Sequence, residues 1–511
     1  MSALIAKIIY AATLLILVLA GSIVVDAKRR LSKVLRVVGF AVAPLVFYGT
    51  GYIKLVDFQV LLTTVAGLTA VAISMHAEGY YRYMYGAFRY YQAVIDTCLA
   101  LLILLFSSTY LAELLVYWFL LDLLIVLAAL TLEYGPENLH VSATYLVMCV
   151  APSDAAVLTM FSLIALRKGV EQALMTPIAV SEPLLGLDPA VSLVITFGFV
   201  TKLGQFPLHS WLPRVYGEAS THISAMLSSI VSKLGIYGLL IATRVFALNP
   251  VAFYVALFQG IITVAYGSLA AVIQSNVKRL LAYSSMAYGG VIVALFAYYS
   301  IWPNELLYYV LLLVVVFHVI VKALAFVNAA YVYQIANTYD VYQLGYLYYV
   351  SREMSFYAFT ALLNLLGAPP SIGFLVKTAL IASALLVIGT GLQALIILAA
   401  FSMFAVFSVA YSAKFINVYI SKIPPVAPRP LPIPAEILYS EAFLSIITVL
   451  TPAPFIVYLL LIGPPYTAVS ISMMIMYTIL LPTYIYILKK EVFTRRPFRE
   501  DIKYWLSGVE M

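Results

Sequence analysis

Apolar runs of about 20 residues follow one another along nearly the whole chain, separated by short polar connections, and each is long enough for a helix to cross a bilayer. They fall at 3–25, 34–53, 55–75, 88–107, 109–131, 142–165, 188–206 with a short continuation to 213, 219–243, 251–273, 280–299, 306–331, 357–388, 391–416, 435–462 and 467–488. Barrel strands would be short and alternating, so the pattern predicts an all-α polytopic membrane protein with about 14–16 transmembrane helices. Two runs are interrupted, one at Pro207 and one at Pro369 and Pro370. Proline removes an amide donor and ends or kinks a helix, so the backbone there must face protein or trapped water. Each break has a lysine beside it, Lys202 before the first and Lys377 after the second. Two discontinuous spans five spans apart suggest two internal repeats. The expected organisation is 1–87 as N-terminal transmembrane helices, 88–243 as a first five-helix repeat, 251–416 as a second, and 435–511 as C-terminal helices and tail.

Composition agrees with the membrane reading: 64% of the 511 residues are apolar and 10% charged, with a mean hydropathy of +1.03. The net charge of +7 comes from basic residues in short connections, such as Lys28, Arg29, Arg30, Lys278 and Arg279, and in the tail from Lys489. With fifteen spans these fall on one side, which places the N-terminus outside and the C-terminus in the cytoplasm of a multi-pass cell-membrane protein. No interleaving of basic and aromatic residues suggests nucleic acid. Cys98 and Cys149 lie alone in apolar runs, the histidines show no ligand spacing, and no phosphate-binding glycine loop occurs. No metal or cofactor is therefore expected in this chain.

Charges inside apolar runs carry the candidate chemistry, because an unpaired charge at membrane depth is costly. Glu113, Asp122, Asp154, Lys202, Lys233, His318, Lys322, Lys377 and Lys414 are the candidates. Any one of them is also consistent with a snorkelling side chain or a structural ion pair, a reading that fits Glu113 and Lys414 near span ends better than the deep lysines. His318 and Lys322, four apart, share a helix face. His209, in the first break, suits a helix cap as well as a site. The row is expected to stay in the middle of the chain, with the last two spans carrying no internal charge.

The segments Lys202-Leu-Gly-Gln-Phe-Pro-Leu-His-Ser-Trp-Leu-Pro213, Glu218-Ala-Ser-Thr-His-Ile-Ser-Ala225, Lys233-Leu-Gly-Ile-Tyr-Gly238, Asn276-Val-Lys-Arg-Leu-Leu-Ala-Tyr-Ser-Ser285, Lys322-Ala-Leu-Ala-Phe326 and Leu366-Gly-Ala-Pro-Pro-Ser-Ile-Gly-Phe-Leu-Val-Lys377 occur in this order. Together they resemble the antiporter-like proton-conducting subunits of respiratory complex I, Mrp antiporters and membrane-bound hydrogenases. The resemblance covers about 110–380. It implies two inverted five-helix repeats with one discontinuous helix in each. It also implies a carboxylate–lysine pair at Asp122 and Lys202, a second lysine at Lys233, a central relay at His318 and Lys322, and an outlet at Lys377. Glu113 matches an acid some members carry ahead of the main carboxylate; His209, Pro207, Pro369 and Pro370 support the breaks.

The sequence departs from the family pattern at three places. Asp122 is a methylene shorter than the usual glutamate, so its pair with Lys202 is expected to be looser or water-bridged. Arg214 and Ser220 replace the usual aspartate and proline after the first break. Burial opposes a lysine's charge and a nearby carboxylate supports it, so moving Asp122 toward or away from Lys202 would switch that lysine between holding and releasing a proton. The resemblance thus implies a subunit that moves protons or sodium ions, driven by electron transfer in partners. Those partners would be other membrane-arm subunits and peripheral redox subunits holding iron–sulfur or other redox cofactors. A subunit of a multisubunit cation/proton antiporter, and a non-conducting scaffold whose charges are fixed ion pairs, are the alternatives.

Overall fold

The computed structural model describes residues 2–51, 53–85, 89–130, 139–369, 371–387, 392–421 and 433–453, with isolated positions beyond 473. Pro370, most of the proline-rich connection after Ile420, most of the predicted span 467–488 and the tail lie outside the described residues. Among the described residues nine helices are long and apolar enough to cross a membrane. Shorter apolar helices cover Tyr90–Phe106, Pro189–Thr201 and Ile372–Leu385. The last two belong to the interrupted spans.

Burial sorts these helices by position. Thr221–Val245 and Glu305–Ala336 are enclosed along their whole apolar length, whereas the Ile5–Ile23 span is mostly uncovered and shows Ile8 and Ile16 outward. The two enclosed helices carry Lys233, His318 and Lys322, polar groups that lipid would not tolerate. Small residues let backbones meet where lipid gives helices no hydrophobic drive to associate. A Cβ at Gly260 would lie 2.8 Å from the Ala294 nitrogen and 2.9 Å from the Gly290 oxygen, so Pro250–Ile273 and Val277–Ile301 lie backbone to backbone.

Two sequence expectations about boundaries are corrected. The run read as 188–206 with a continuation to 213 is helical only over Pro189–Thr201, resuming as Trp211–Glu218. The cause is Gly204, whose φ of +66° turns the chain out of the helix three residues before Pro207. The connection read as 332–356 is shorter, because Glu305–Ala336 continues one turn further and ends on Asn337 in the left-handed conformation. Helices also widen locally to π geometry at Val38–Val42, ahead of Pro44, and at Leu146–Val150, ahead of Pro152. Proline lacks the amide that would continue the ladder, and a wider turn absorbs the missing bond.

A buried polar cluster ties the N-terminal helices to the Ala435–Leu450 helix. Arg36 pairs with Glu78 and sits 3.8 Å from Asp96, and Arg82 lies 3.0 Å from Glu78 and 3.7 Å from Glu436. Lys33 donates to Glu436 at 2.9 Å, while Ser22 and Ser74 donate to Asp96 at 2.6 Å. Gly79 makes room, since a Cβ there would press on Ile437 at 2.8 Å. Removing one partner from a buried pair strands the other. Arg36→Met should therefore destabilise the fold by about 3–5 kcal/mol, seen as reduced protein and a lower melting temperature in detergent, with Arg36→Lys intermediate.

Candidate functional site

The first broken span begins with Asp188 accepting from the Val191 amide at 3.0 Å and Pro189 at the first helical position, a strong start signal. It ends at Thr201, leaving Lys202 as the capping residue. Backbone groups freed by the break find protein partners, as membrane depth requires. Trp211 Nε1 donates to the Thr201 carbonyl at 3.2 Å, the Phe206 amide donates to Thr263 Oγ1 at 3.0 Å, and Gln259 Nε2 donates to the Phe206 carbonyl at 3.3 Å. The break is thus a packed, fixed feature, with Lys202 held at its edge.

Lys202 is fully buried, and its Nζ donates to both oxygens of Asp122, at 2.6 and 2.7 Å. The expectation of a looser or water-bridged pair is corrected: leaving from a helix terminus, Lys202 reaches the shorter carboxylate directly. Its ammonium lies 5.7 Å from the Trp118 ring centre and 5.5 Å from that of Tyr145, so aromatic faces complete the cation's cage. Asp122 sits one turn before a π-widened segment, Ile125–Ala129. Beside the pair is Asp154, within electrostatic reach of both Asp122 and Lys202 and with a buried Oδ1 that makes no hydrogen bond among the described residues. Two acids therefore face one lysine. Sequence reasoning left Asp154 open; its signal was an acid following Pro152 inside an apolar run.

Lys233 follows another π-widened segment, Leu227–Val231. Its Nζ donates to Ser232 Oγ at 2.7 Å and to the Ser228 carbonyl at 3.1 Å; no carboxylate pairs with it among the described residues. Across from it, Lys322 donates to Ser284 Oγ and, at 3.2 Å, to the Leu281 carbonyl. Lys233, His318 and Lys322 are close enough to feel one another's charge. Ser228 and Ser285, joined at 2.9 Å, add hydroxyls between the Lys233 helix and Val277–Ile301. Both ring nitrogens of His318 are buried without a completed hydrogen bond among the described residues. Lys202 is thus held by a carboxylate, and Lys233 and Lys322 by neutral oxygens alone among the described residues.

At the second break, Gly367 takes a φ of +79° and caps Arg352–Leu366. The Gly367 and Ala368 amides both bond the Leu363 carbonyl at 2.9 Å. The Leu366 carbonyl is then taken by Lys377 Nζ from the following helix. Pro369 lies in the connection between the two helices, and Pro370 lies outside the described residues.

Other candidates are placed apart from the row. Glu113 caps its own helix, accepting from the Thr109 amide at 2.6 Å, and lies 3.6 Å from Lys7. His209 is half-buried, with its Nδ1 3.1 Å from the Pro207 carbonyl and its ring stacked on Phe206. Pro207 lies in the connection itself. Lys414 donates to the Val272 and Gln274 carbonyls at 3.0 and 2.7 Å, capping a helix end.

Residues 111–408, more than half of the chain, match the NADH:quinone oxidoreductase/Mrp antiporter transmembrane family. The chain belongs to this family. Similar members include a Na(+)/H(+) antiporter subunit of Alkalihalophilus pseudofirmus, 30% identical over 44% of this chain and 46% of its own. Hydrogenase-4 component B of Escherichia coli is 32% identical over 37% of this chain and 30% of its own. NAD(P)H-quinone oxidoreductase chain 4 1 of Synechococcus sp. is 30% identical over 51% of this chain and 50% of its own. The chain thus spans half or less of the length of these relatives. Its fold is similar to a chain of the Mrp complex from Dietzia sp., with a TM-score of 0.73 and 18% identity over 88% of this chain and 95% of that one. It is also similar to a chain of respiratory complex I from Thermus thermophilus, with a TM-score of 0.65 and 22% identity over 87% and 97%. The protein is an antiporter-like, polytopic membrane subunit of this family.

Proposed function

We propose that this family member translocates protons or sodium ions across the cell membrane as part of a multisubunit redox complex. The observation that carries the reading is the buried two-oxygen pair of Lys202 with Asp122, at the end of an interrupted helix and with Asp154 beside it. Burying two charges is costly, and close pairing offsets that cost only while the pair holds. Drawing Asp122 away from Lys202 leaves an ammonium without its counter-charge, which drives a proton onward toward Lys233, His318 and Lys322. Lys377 is the outlet. These coupled groups titrate as a set.

Electron transfer in partner subunits supplies the energy, with iron–sulfur or other redox cofactors held there and none held by this chain. Purification of the native complex tests this. Iron–sulfur spectra from co-purifying subunits, together with vesicle acidification or sodium uptake that stops when the electron donor is withheld, are the expected result. The similarity to the Alkalihalophilus Na(+)/H(+) antiporter subunit and to the Mrp complex supports a second reading, a subunit of a multisubunit cation/proton antiporter. That reading expects sodium–proton exchange driven by an imposed gradient with no electron donor.

The one-sided basic connections favour an N-terminus outside and a tail in the cytoplasm. A cysteine at position 495 should resist a membrane-impermeant maleimide added outside oriented vesicles and react after permeabilisation. Ready labelling from outside reverses the orientation.

A further inference from the structure

The relay ends at Lys377, yet one more titratable group lies buried beyond it. Glu441, in the Ala435–Leu450 helix, is completely buried. Every other buried acid among the described residues faces a cation: Asp122 faces Lys202, Glu78 and Asp96 face Arg36, and Glu436 faces Lys33. Glu441 faces none among the described residues. Its Oε2 accepts from Asn328 Nδ2 at 2.6 Å, and its Oε1 has no hydrogen-bond partner among the described residues.

The orientation of Asn328 decides what the carboxyl carries. The same Nδ2 donates to the Met354 carbonyl at 3.1 Å, and Oδ1 accepts from the Tyr419 hydroxyl. A carbonyl can only accept, so the amide presents its N–H face, and not its oxygen, to Glu441. A proton on Oε1 removes the charge that burial opposes and leaves an O–H to donate to a hydroxyl or water.

A run of polar side chains lies between the Glu441 helix and Lys377. Ser445, one turn after Glu441 on the same helix face, donates to Thr360 Oγ1 at 3.1 Å. Thr360, Asn364 and Gly367 are spaced i, i+4, i+7 and so form one stripe on their helix, about 10 Å long. Asn364 Nδ2 donates to the Thr360 carbonyl at 2.7 Å, and its Oδ1 accepts from the Gly373 amide at 3.3 Å. At the far end the stripe meets Lys377 itself, since a Cβ on Gly367 would lie 2.9 Å from Lys377 Nζ.

We propose that Glu441 is a proton-carrying carboxylic acid that exchanges its proton with Lys377 along the Ser445–Thr360–Asn364 stripe. This extends the ion path into the helix that follows the second repeat. In the step, the Oε1–H bond of Glu441 breaks and an N–H bond forms on the neutral Lys377 amine. Each hydroxyl or water between gives up one proton as it takes one, Asn364 holds the break in place, and no electrons change hands. The step rests on the translocation reading proposed for the subunit.

Infrared difference spectra of the native complex, with and without electron donor, test the group itself. The expected result is a protonated-carboxyl carbonyl band that changes with turnover, moves in deuterium oxide, and is absent in Glu441→Gln and displaced in Glu441→Asp. A Glu441 carboxyl that gives no exchangeable band, or one unaltered by turnover, overturns the proposal. Transport provides the second readout. Glu441→Gln in assembled complex should slow translocation several-fold, with Glu441→Asp partly restoring it. If Lys377→Ala abolishes transport while Glu441→Gln runs at the wild-type rate, the Glu441 step falls and the relay stands. If both variants run normally, the outlet role of Lys377 falls together with the Glu441 step.

Discussion

Asp122→Asn should cut ion translocation by about tenfold or more while the complex still assembles, because it strands Lys202 in a site with no water-exposed alternative. The buried amide keeps the shape of the carboxyl, so packing against Trp118 and the π-widened segment is preserved. Asp122→Glu should keep activity within a few-fold of wild type, since it restores the charge. A scaffold would show the reverse order: the charge-neutral variant would lose mainly assembly, and the longer glutamate would crowd a fixed site. Asp154, not Glu113, is the acid placed to substitute. Glu113 is engaged with the Thr109 amide and Lys7, whereas Asp154 is within reach of Lys202. The double variant Asp122→Asn with Asp154→Asn should therefore lose more than the sum of the singles, as residues sharing one role do.

Lys377→Ala should abolish translocation outright and leave protein levels close to wild type. The bond it removes, to the Leu366 carbonyl, is one that water in the vacated space can replace. The amine it removes has no substitute at the second break: Lys414 is committed to the Val272 and Gln274 carbonyls. Lys377→Arg, whose group does not deprotonate, should assemble but fail to release its proton. Normal transport in Lys377→Ala would make this lysine a helix cap and nothing more.

The helical membrane class and most spans were legible because a water-soluble fold has no use for so many long apolar runs. The deep charges were legible for the same reason, each being costly where it stands. Boundaries were less so. Pro207 drew attention to the first break, but the helix stops at Thr201 because of a left-handed Gly204, a conformation that the sequence permits without announcing. Partner identity was the least visible. The nine-residue spacing of Glu113 and Asp122 says only that they lie on different faces, and it took the fold to bring Lys7 to one and Lys202 to the other. Glu441, buried in Ala435–Leu450, corrects the expectation that the last two spans carry no internal charge. The sequence shows no break or lysine near it, and its neighbours Asn328, Thr360 and Ser445 come from three other stretches or turns of chain.

The central claim is that charge passes through the Asp122–Lys202 pair. Its most direct test counts ions moved per electron transferred, with donor oxidation and vesicle acidification or sodium uptake recorded together on Asp122→Asn complex. The expected ratio collapses toward zero, or electron transfer and ion movement stop together. Full ion movement per electron in that variant would contradict the claim.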